Sequence, residues 1–269
     1  MKKLAATVLR TSMFFIGWVL LVELFPIPNY ENAAIWRFWA ELIPFLCIVV
    51  LTAVFWLIDK RKIGLCLVSK PIKNSIAGLI ISAIWLGAVT AVLMICGVMK
   101  INDYKAIPML WLWLISALIN TVMQELLVRG YLYQMIKSNY NMLAAIIVTT
   151  ALFTFMHGGA FEAGIISVLN VLSMSVLMTI VLEYTQSLIA PIIMHFIWNA
   201  VGAIILGGVS LADDYPYLFS TEFKGNLLLT GGVSKIEGSI VVLIINIVLI
   251  AGFCVFSRRA DSSVTKHYL

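Results

Sequence analysis

Charge is scarce in this chain. Only 12% of its 269 residues are charged and 62% are hydrophobic, roughly half the charged share of an average soluble domain, which argues against a soluble globular protein. Cysteine is equally uninformative. Cys47, Cys66, Cys96 and Cys254 are scattered with no CxxC pair, so neither a disulfide framework nor a thiolate metal site is indicated, and they read as small apolar fillers. The sequence also lacks an HExxH motif and any internal repeat. The first absence removes the common zinc-protease signature, and the second removes the inverted-repeat pattern of many transporters. A net charge of +5 raises the question of nucleic acid, but the basic residues lie in short clusters between apolar runs rather than along one face. No nucleic-acid partner is expected.

What the chain has in abundance is apolar runs at or above the ~18–20 residues that cross a bilayer. The first, up to about Phe25, follows Lys2, Lys3 and Arg10 but has no small-residue cleavage site behind it, so it reads as a retained span. Further spans are expected over about Phe38–Ile58, Ser75–Val98, Pro108–Ile136, a fifth ending near His157, Ala163–Tyr184, a seventh beginning between Gln186 and Pro191 and ending near Leu206, and Ser239–Phe256. The polar, Gly-rich stretch 207–238 is the longest extramembrane loop. Eight spans place both termini on one side. That side collects Lys2, Lys3, Arg10, Lys60, Arg61, Lys62, Lys70, Lys73, Lys137, Arg258, Arg259 and Lys266, against Arg37, Lys100, Lys105, Lys224 and Lys235 on the other. The positive-inside rule makes the richer side cytoplasmic. The expected fold is therefore all-α: a polytopic bundle of about eight transmembrane helices with cytoplasmic N- and C-termini. It is a single membrane domain over 1–269, with peripheral helices in 1–107, a core in 108–208, and an extracytoplasmic loop, last helix and tail in 209–269.

One stretch, Asn120–Tyr133 (NTVMQELLVRGYLY), breaks the apolar rule with Gln124, Glu125 and Arg129. An ionisable side chain at membrane depth costs about 2.5–3.5 kcal/mol even on the lenient insertion scale, and is a functional candidate for that reason. Glu125 and Arg129 are four apart and share a helix face, so they can neutralise each other; the structural alternative is an Arg that snorkels with its Glu merely paired. Two further polar clusters lie downstream. Thr150, Thr154 and His157 form a stripe at helical spacing, and His195 and Asn199, four apart, point the same way, with Gly202 beyond them allowing close approach of another helix. Asn170 and Ser173 form a weaker stripe suited to interhelical hydrogen bonds.

One glutamate and two histidines on three helices admit two chemistries. In one, Glu125, His157 and His195 ligate a catalytic zinc with a water in the fourth position. In the other, the carboxylate activates a water, one histidine shares it, and the second histidine with Asn199 donates hydrogen bonds to the developing oxyanion. Nothing in the spacing fixes the geometry of a metal site, so zinc is the weaker reading and no cofactor is expected.

Gln124-Glu125-x-x-x-Arg129, Phe153-x-x-x-His157 and His195-x-x-x-Asn199, in that order, resemble the three motifs (EExxxR, FxxxH, HxxxN or HxxxD) of the CPBP family, which groups CAAX prenyl proteases of the Rce1 type with bacteriocin-processing and immunity proteins, also called Abi. The resemblance runs from about Pro108 to Gly208 and includes Arg129-Gly130-Tyr131 and Pro191. It implies an eight-helix intramembrane glutamate protease, often described as a metalloprotease, whose cavity opens towards the cytoplasm. By resemblance, positions 124 and 157 activate water, His195 and Asn199 bind the oxyanion, and Arg129 is a structural partner of the acidic pair.

The sequence departs from that pattern at one position. Where the family usually has its first glutamate stands Gln124, and an amide orients water but cannot take its proton. The reading is therefore an intramembrane endopeptidase of the plasma membrane, of bacterial type. It acts on a peptide or membrane-tethered protein through Gln124, Glu125, His157, His195 and Asn199, with Glu125 as the base. The alternative is a non-catalytic homologue that binds a peptide or scaffolds a partner as an immunity protein. One geometric tension accompanies it. At ~1.5 Å per helical residue, His195 lies much nearer its cytoplasmic turn than Glu125 or His157 do, so upright helices would not bring them level.

Overall fold

The structure is a computed structural model that describes the backbone of residues 2–266 and the side chains of 3–255. Lys2, Arg258, Arg259 and Lys266, which entered the topological count, have side chains outside the described residues. About 74% of the chain is helical. In order, the α-helices are α1 (Lys2–Glu23), α2 (Ala33–Ile58), α3 (Pro71–Ile95), α4 (Leu110–Glu125), α5 (Tyr133–Asn139), α6 (Met142–Met156), α7 (Gly158–Ala163), α8 (Ile165–Thr185), α9 (Ile189–Ile197), α10 (Leu227–Thr230) and α11 (Ile240–Lys266). Two π-helical segments, Leu126–Leu132 and Trp198–Ile205, continue α4 into α5 and extend α9. Among the described residues, six helices are long and apolar enough to cross a membrane, and α6 and the stretch Ile189–Ile205 are shorter apolar helices.

Local chemistry sets most boundaries. The Asn32 side chain accepts from the N–H groups of Ala34 (3.0 Å) and Ile35 (3.2 Å), an N-cap that starts α2 five residues before the expected Phe38. Pro71 opens α3, where its missing N–H costs nothing, and the Asn141 side chain caps α6 through the Ala144 N–H at 2.8 Å. The polar stretch 207–238 is more than a linker. Its strand β2 (Phe219–Phe223) pairs antiparallel with β1 (Met99–Tyr104), which the sequence reading did not foresee, in the register Met99 to Phe223 and Ile101 to Thr221.

The connections sort into two ends of the bundle. At one end the loop before α3 meets the turn before α9: the Leu188 N–H donates to Cys66 O at 2.9 Å, and the Asn74 side chain donates to Thr185 O at 3.3 Å. Arg10 pairs with Asp59, and Lys137 pairs with Glu183 at 2.6 Å. At the opposite end lie the sheet, α7 and the α1–α2 connection, held to the 207–238 stretch by Arg37 on Asp214. Of the described basic side chains, Lys3, Arg10, Lys60, Arg61, Lys62, Lys70, Lys73 and Lys137 gather at the first end with Asp59 and Glu183. The second end carries nine carboxylates, Glu23, Glu31, Glu41, Asp103, Glu162, Asp213, Asp214, Glu222 and Glu237, against five basic residues.

Two aromatic clusters hold the helices in place. Trp85 on α3 stacks on Trp198 with centroids 4.3 Å apart, and Phe14, Phe55 and Tyr131 tie α1 and α2 to the first π segment. Asn246 on α11 accepts the Trp85 indole N–H at 2.7 Å and donates to Ser173 at 2.8 Å. The Asn170 side chain donates to Glu237 O and Ser239 O, so the Asn170–Ser173 stripe joins α8 both to α11 and to the backbone that enters it. Gly202 admits Val209 most closely, since a Cβ there would lie 2.7 Å from a Val209 methyl, and Leu86 of α3 lies beyond it at 3.8 Å. The cysteines are fillers only in part, since Cys47 is buried while Cys96 and Cys254 are exposed.

Candidate functional site

Glu125 and Arg129 form the anchor. Both are fully buried, and the guanidinium Nη1 donates to both carboxylate oxygens at 2.7 and 2.8 Å. Arg129 spends its remaining donors on α8, giving Nε to the Thr179 hydroxyl at 3.1 Å and Nη2 to Ser175 O and Oγ at 2.9 Å. Its guanidinium also sits over the Phe153 ring at 5.1 Å. The Glu125 carboxylate accepts a further hydrogen bond from His195 Nδ1 at 2.9 Å. Since a carboxylate only accepts, that nitrogen carries the proton, and a neutral His195 keeps its lone pair on Nε2.

His157 is held in an analogous way. Its Nδ1 lies 2.7 Å from the Phe153 carbonyl, which also only accepts, so the neutral ring again presents an unprotonated Nε2. The Phe153 ring lies between the two imidazoles, 4.3 Å from His157 and 5.8 Å from His195 by centroids. Asn199 donates to the Thr121 hydroxyl at 3.3 Å and keeps a second amide hydrogen.

These groups border a cavity of about 560 Å³ whose wall includes Gln124, His157, His195 and Asn199. Glu125 is absent from that wall. Successive residues on a helix diverge by roughly 100°, so when Glu125 turns inward to Arg129, Gln124 takes the cavity. The structure thus brings together four of the five residues expected in the site and sets the fifth behind them, as support for His195 and Arg129.

Gln124 belongs to a polar chain along the wall. Its Nε2 donates to Asn120 Oδ1 at 2.8 Å, Asn120 Nδ2 donates to Glu41 Oε2 at 2.7 Å, and Glu41 pairs with Arg37 at 3.1 Å. The Tyr215 hydroxyl donates weakly to Glu41 at 3.4 Å; burial and then the Glu41 carboxylate push its phenol well above the ordinary range, keeping it protonated. Because the ionised Glu41 that pairs with Arg37 can only accept, the direction of every bond in this chain is fixed. Gln124 Oε1 is left buried and, among the described residues, without a hydrogen-bond partner. Sequence reasoning passed over Glu41, although an acid inside the apolar run FWAELIPF is the same signal that singled out Glu125. Glu237, also on the wall, comes from the long loop and had no such signal.

The depth tension resolves through the position of α9. Gly78, two turns into α3, packs so closely on α9 that a Cβ would lie 3.0 Å from Ala190 O. Helix α9 therefore starts about two turns above the start of α3, and His195 meets Glu125 at the same level. The cavity reaches the surface past the exposed Glu162, Ser210 and Asp213, at the end that carries α7 and the 207–238 stretch, opposite the basic end.

Among the described residues no group of three or more His, Cys, Asp or Glu side chains is arranged to hold a metal ion. In the zinc set of Glu125, His157 and His195, the carboxylate is engaged by Arg129 Nη1 and His195 Nδ1, while both imidazoles leave Nε2 free.

Residues 106–201 match the model of the Rce1-like family, described as type II CAAX prenyl endopeptidase Rce1-like, and this agrees with the CPBP resemblance of the three motifs. The matched segment holds both motif histidines, Asn199, Gln124, Glu125 and Arg129. Searches of curated proteins and of solved structures return no match.

Proposed function

We propose that this multi-pass protein is an intramembrane peptidase of the Rce1-like kind, spanning a bacterial plasma membrane eight times with both termini cytoplasmic, and hydrolysing a peptide bond in a peptide or membrane-tethered protein. The family match supports the peptidase kind, and the basic residues at one end of the bundle support the orientation. The observation that carries the mechanism is the pair of imidazoles on one cavity wall, each anchored through Nδ1–H with Nε2 unprotonated in the neutral form.

His157 Nε2 takes the proton of a water that attacks the carbonyl carbon, and later returns it to the leaving amine. Gln124 orients the water through its amide. Asn199 donates its second N–H to the oxyanion, and His195, when protonated and backed by Glu125, adds another. Glu125 and Arg129 fix His195 and position α8; they touch no reacting atom. The chemistry uses no metal and no cofactor. Cleavage of candidate peptides in proteoliposomes tests this: loss of His157 abolishes turnover, and equal cleavage by the parent and His157→Ala overturns the mechanism.

A second reading is favoured by one observation. With an amide on the cavity wall and the neighbouring carboxylate saturated by Arg129 and His195, the same cavity can hold a peptide without hydrolysing it, as an immunity or scaffold protein would. Peptide binding that survives both His157→Ala and His195→Ala, with no cleavage by the parent, selects this reading.

A further inference from the structure

The cavity wall is one-sided in its chemistry: it is rich in acceptors and poor in free cations. Glu41, Glu162, Asp213 and Glu237 line it, and the wall's one Arg or Lys side chain, Arg37, is already bonded to Glu41 and to Asp214. Gln124 Oε1 adds a buried acceptor with no partner among the described residues. Glu237 is the sharpest case. Among the described residues its carboxylate receives two long hydrogen bonds, from the Trp198 indole N–H at 3.2 Å and the Ser210 backbone N–H at 3.3 Å, both neutral donors. A carboxylate has about four acceptor positions, so it retains capacity for a charged donor.

The mouth lies at the end of the bundle that carries nine carboxylates against five basic residues, and the opposite end holds the described basic clusters of 60–62, 70 and 73. The positive-inside rule therefore turns the mouth away from the cytoplasm, opposite to the side implied by the family resemblance. Resting on the peptide-binding site argued above, we propose that the cavity is loaded from the extracytoplasmic side by a positively charged peptide segment, whose Lys or Arg side chain is bound by Glu237 while Glu162 and Asp213 attract it at the mouth.

Full-length protein in right-side-out and inside-out vesicles tests this with a membrane-impermeant, photo-crosslinkable peptide made in two forms, one with a central lysine and one with glutamine there. The lysine peptide is expected to crosslink from the extracytoplasmic side only, and an impermeant maleimide is expected to label the exposed Cys96 from that same side. Glu237→Gln should weaken the lysine peptide about tenfold or more, as befits a charge-assisted bond in an enclosed site, and leave the glutamine peptide unchanged. Asp213→Asn should cost about two- to fivefold, with a loss that shrinks in high salt. Crosslinking from the cytoplasmic side alone overturns the proposal, as does equal affinity for the two peptides in the parent. Cleavage without preference for the lysine form also overturns it, while the peptidase reading stands, because hydrolysis by His157 does not depend on charge at Glu237.

Discussion

Replacing Gln124 by glutamate puts a carboxylate on the cavity wall, and the polar chain behind it sets the outcome. Gln124 now donates to Asn120 Oδ1, and Asn120 donates in turn to Glu41. An ionised glutamate cannot donate. Either Asn120 keeps its orientation and its carbonyl faces the new carboxylate, or its amide flips and the carbonyl faces Glu41. Both arrangements leave one buried acceptor opposed to another, at about 1–3 kcal/mol. The variant Gln124→Glu should therefore unfold at lower temperature than the parent while gaining a general base, which contributes about 10²–10⁴-fold to hydrolysis.

The double variant Gln124→Glu with Glu41→Gln separates the two effects. An amide at 41 can donate to a flipped Asn120, whose own N–H groups then serve the carboxylate at 124, and Arg37 keeps Asp214. Stability should return by most of the lost 1–3 kcal/mol with the rate gain retained. The readouts are thermal unfolding in detergent and cleavage of a fluorogenic peptide in proteoliposomes. Two results refute the reasoning: a single variant as stable as the parent, or a folded single variant whose cleavage rises by less than about tenfold. The second would mean that position 124 does not face the reacting water.

Other substitutions probe the anchor, the packing and the loop. Truncating Arg129 to Ala leaves Glu125 buried without its counter-charge, and should cost about 3–5 kcal/mol in unfolding free energy measured by denaturant titration; a loss below about 1 kcal/mol would contradict the structural role. Glu125→Gln keeps the volume but removes the charge that backs His195, so it should slow cleavage without matching the complete loss of His157→Ala; a silent variant removes Glu125 from the mechanism. Gly78→Val forces α9 away from α3, and should destabilise by about 1–3 kcal/mol and slow cleavage through displacement of His195. Asp214→Asn loosens the tie between Arg37 and the 207–238 stretch, and proteolysis should then cut that stretch faster with little change in global unfolding.

The sequence carried the helices because the bilayer imposes a simple rule, long apolar runs, and because asparagines and prolines mark the ends. It carried the residues of the site because polar groups among apolar ones are few. Three things were out of its reach for physical reasons. The π-helical segments at Leu126–Leu132 and Trp198–Ile205 leave no compositional trace. The pairing of β1 with β2 joins stretches some 120 residues apart, whose alternation is too short to register. The late start of α9 depends on one glycine, Gly78, meeting one carbonyl.

The choice between Gln124 and Glu125 was the hardest, since both belong to the motif and helical geometry says only that they diverge. Arg129 decides it. A carboxylate one helical turn away from a buried guanidinium is drawn to it, and with Thr179 and Ser175 holding that guanidinium against α8, the side chain at 125 has a single inward direction. Position 124 is then the one that meets the cavity. The residue there is an amide, so in the proposed mechanism the proton of an attacking water goes to an imidazole. An imidazole can take it only through Nε2, and both rings are pinned so that Nε2 is the nitrogen left free. Any reassignment that makes Glu125 the base has first to remove two arginine bonds and one histidine bond from it, and in doing so it releases His195 from the orientation the reaction needs.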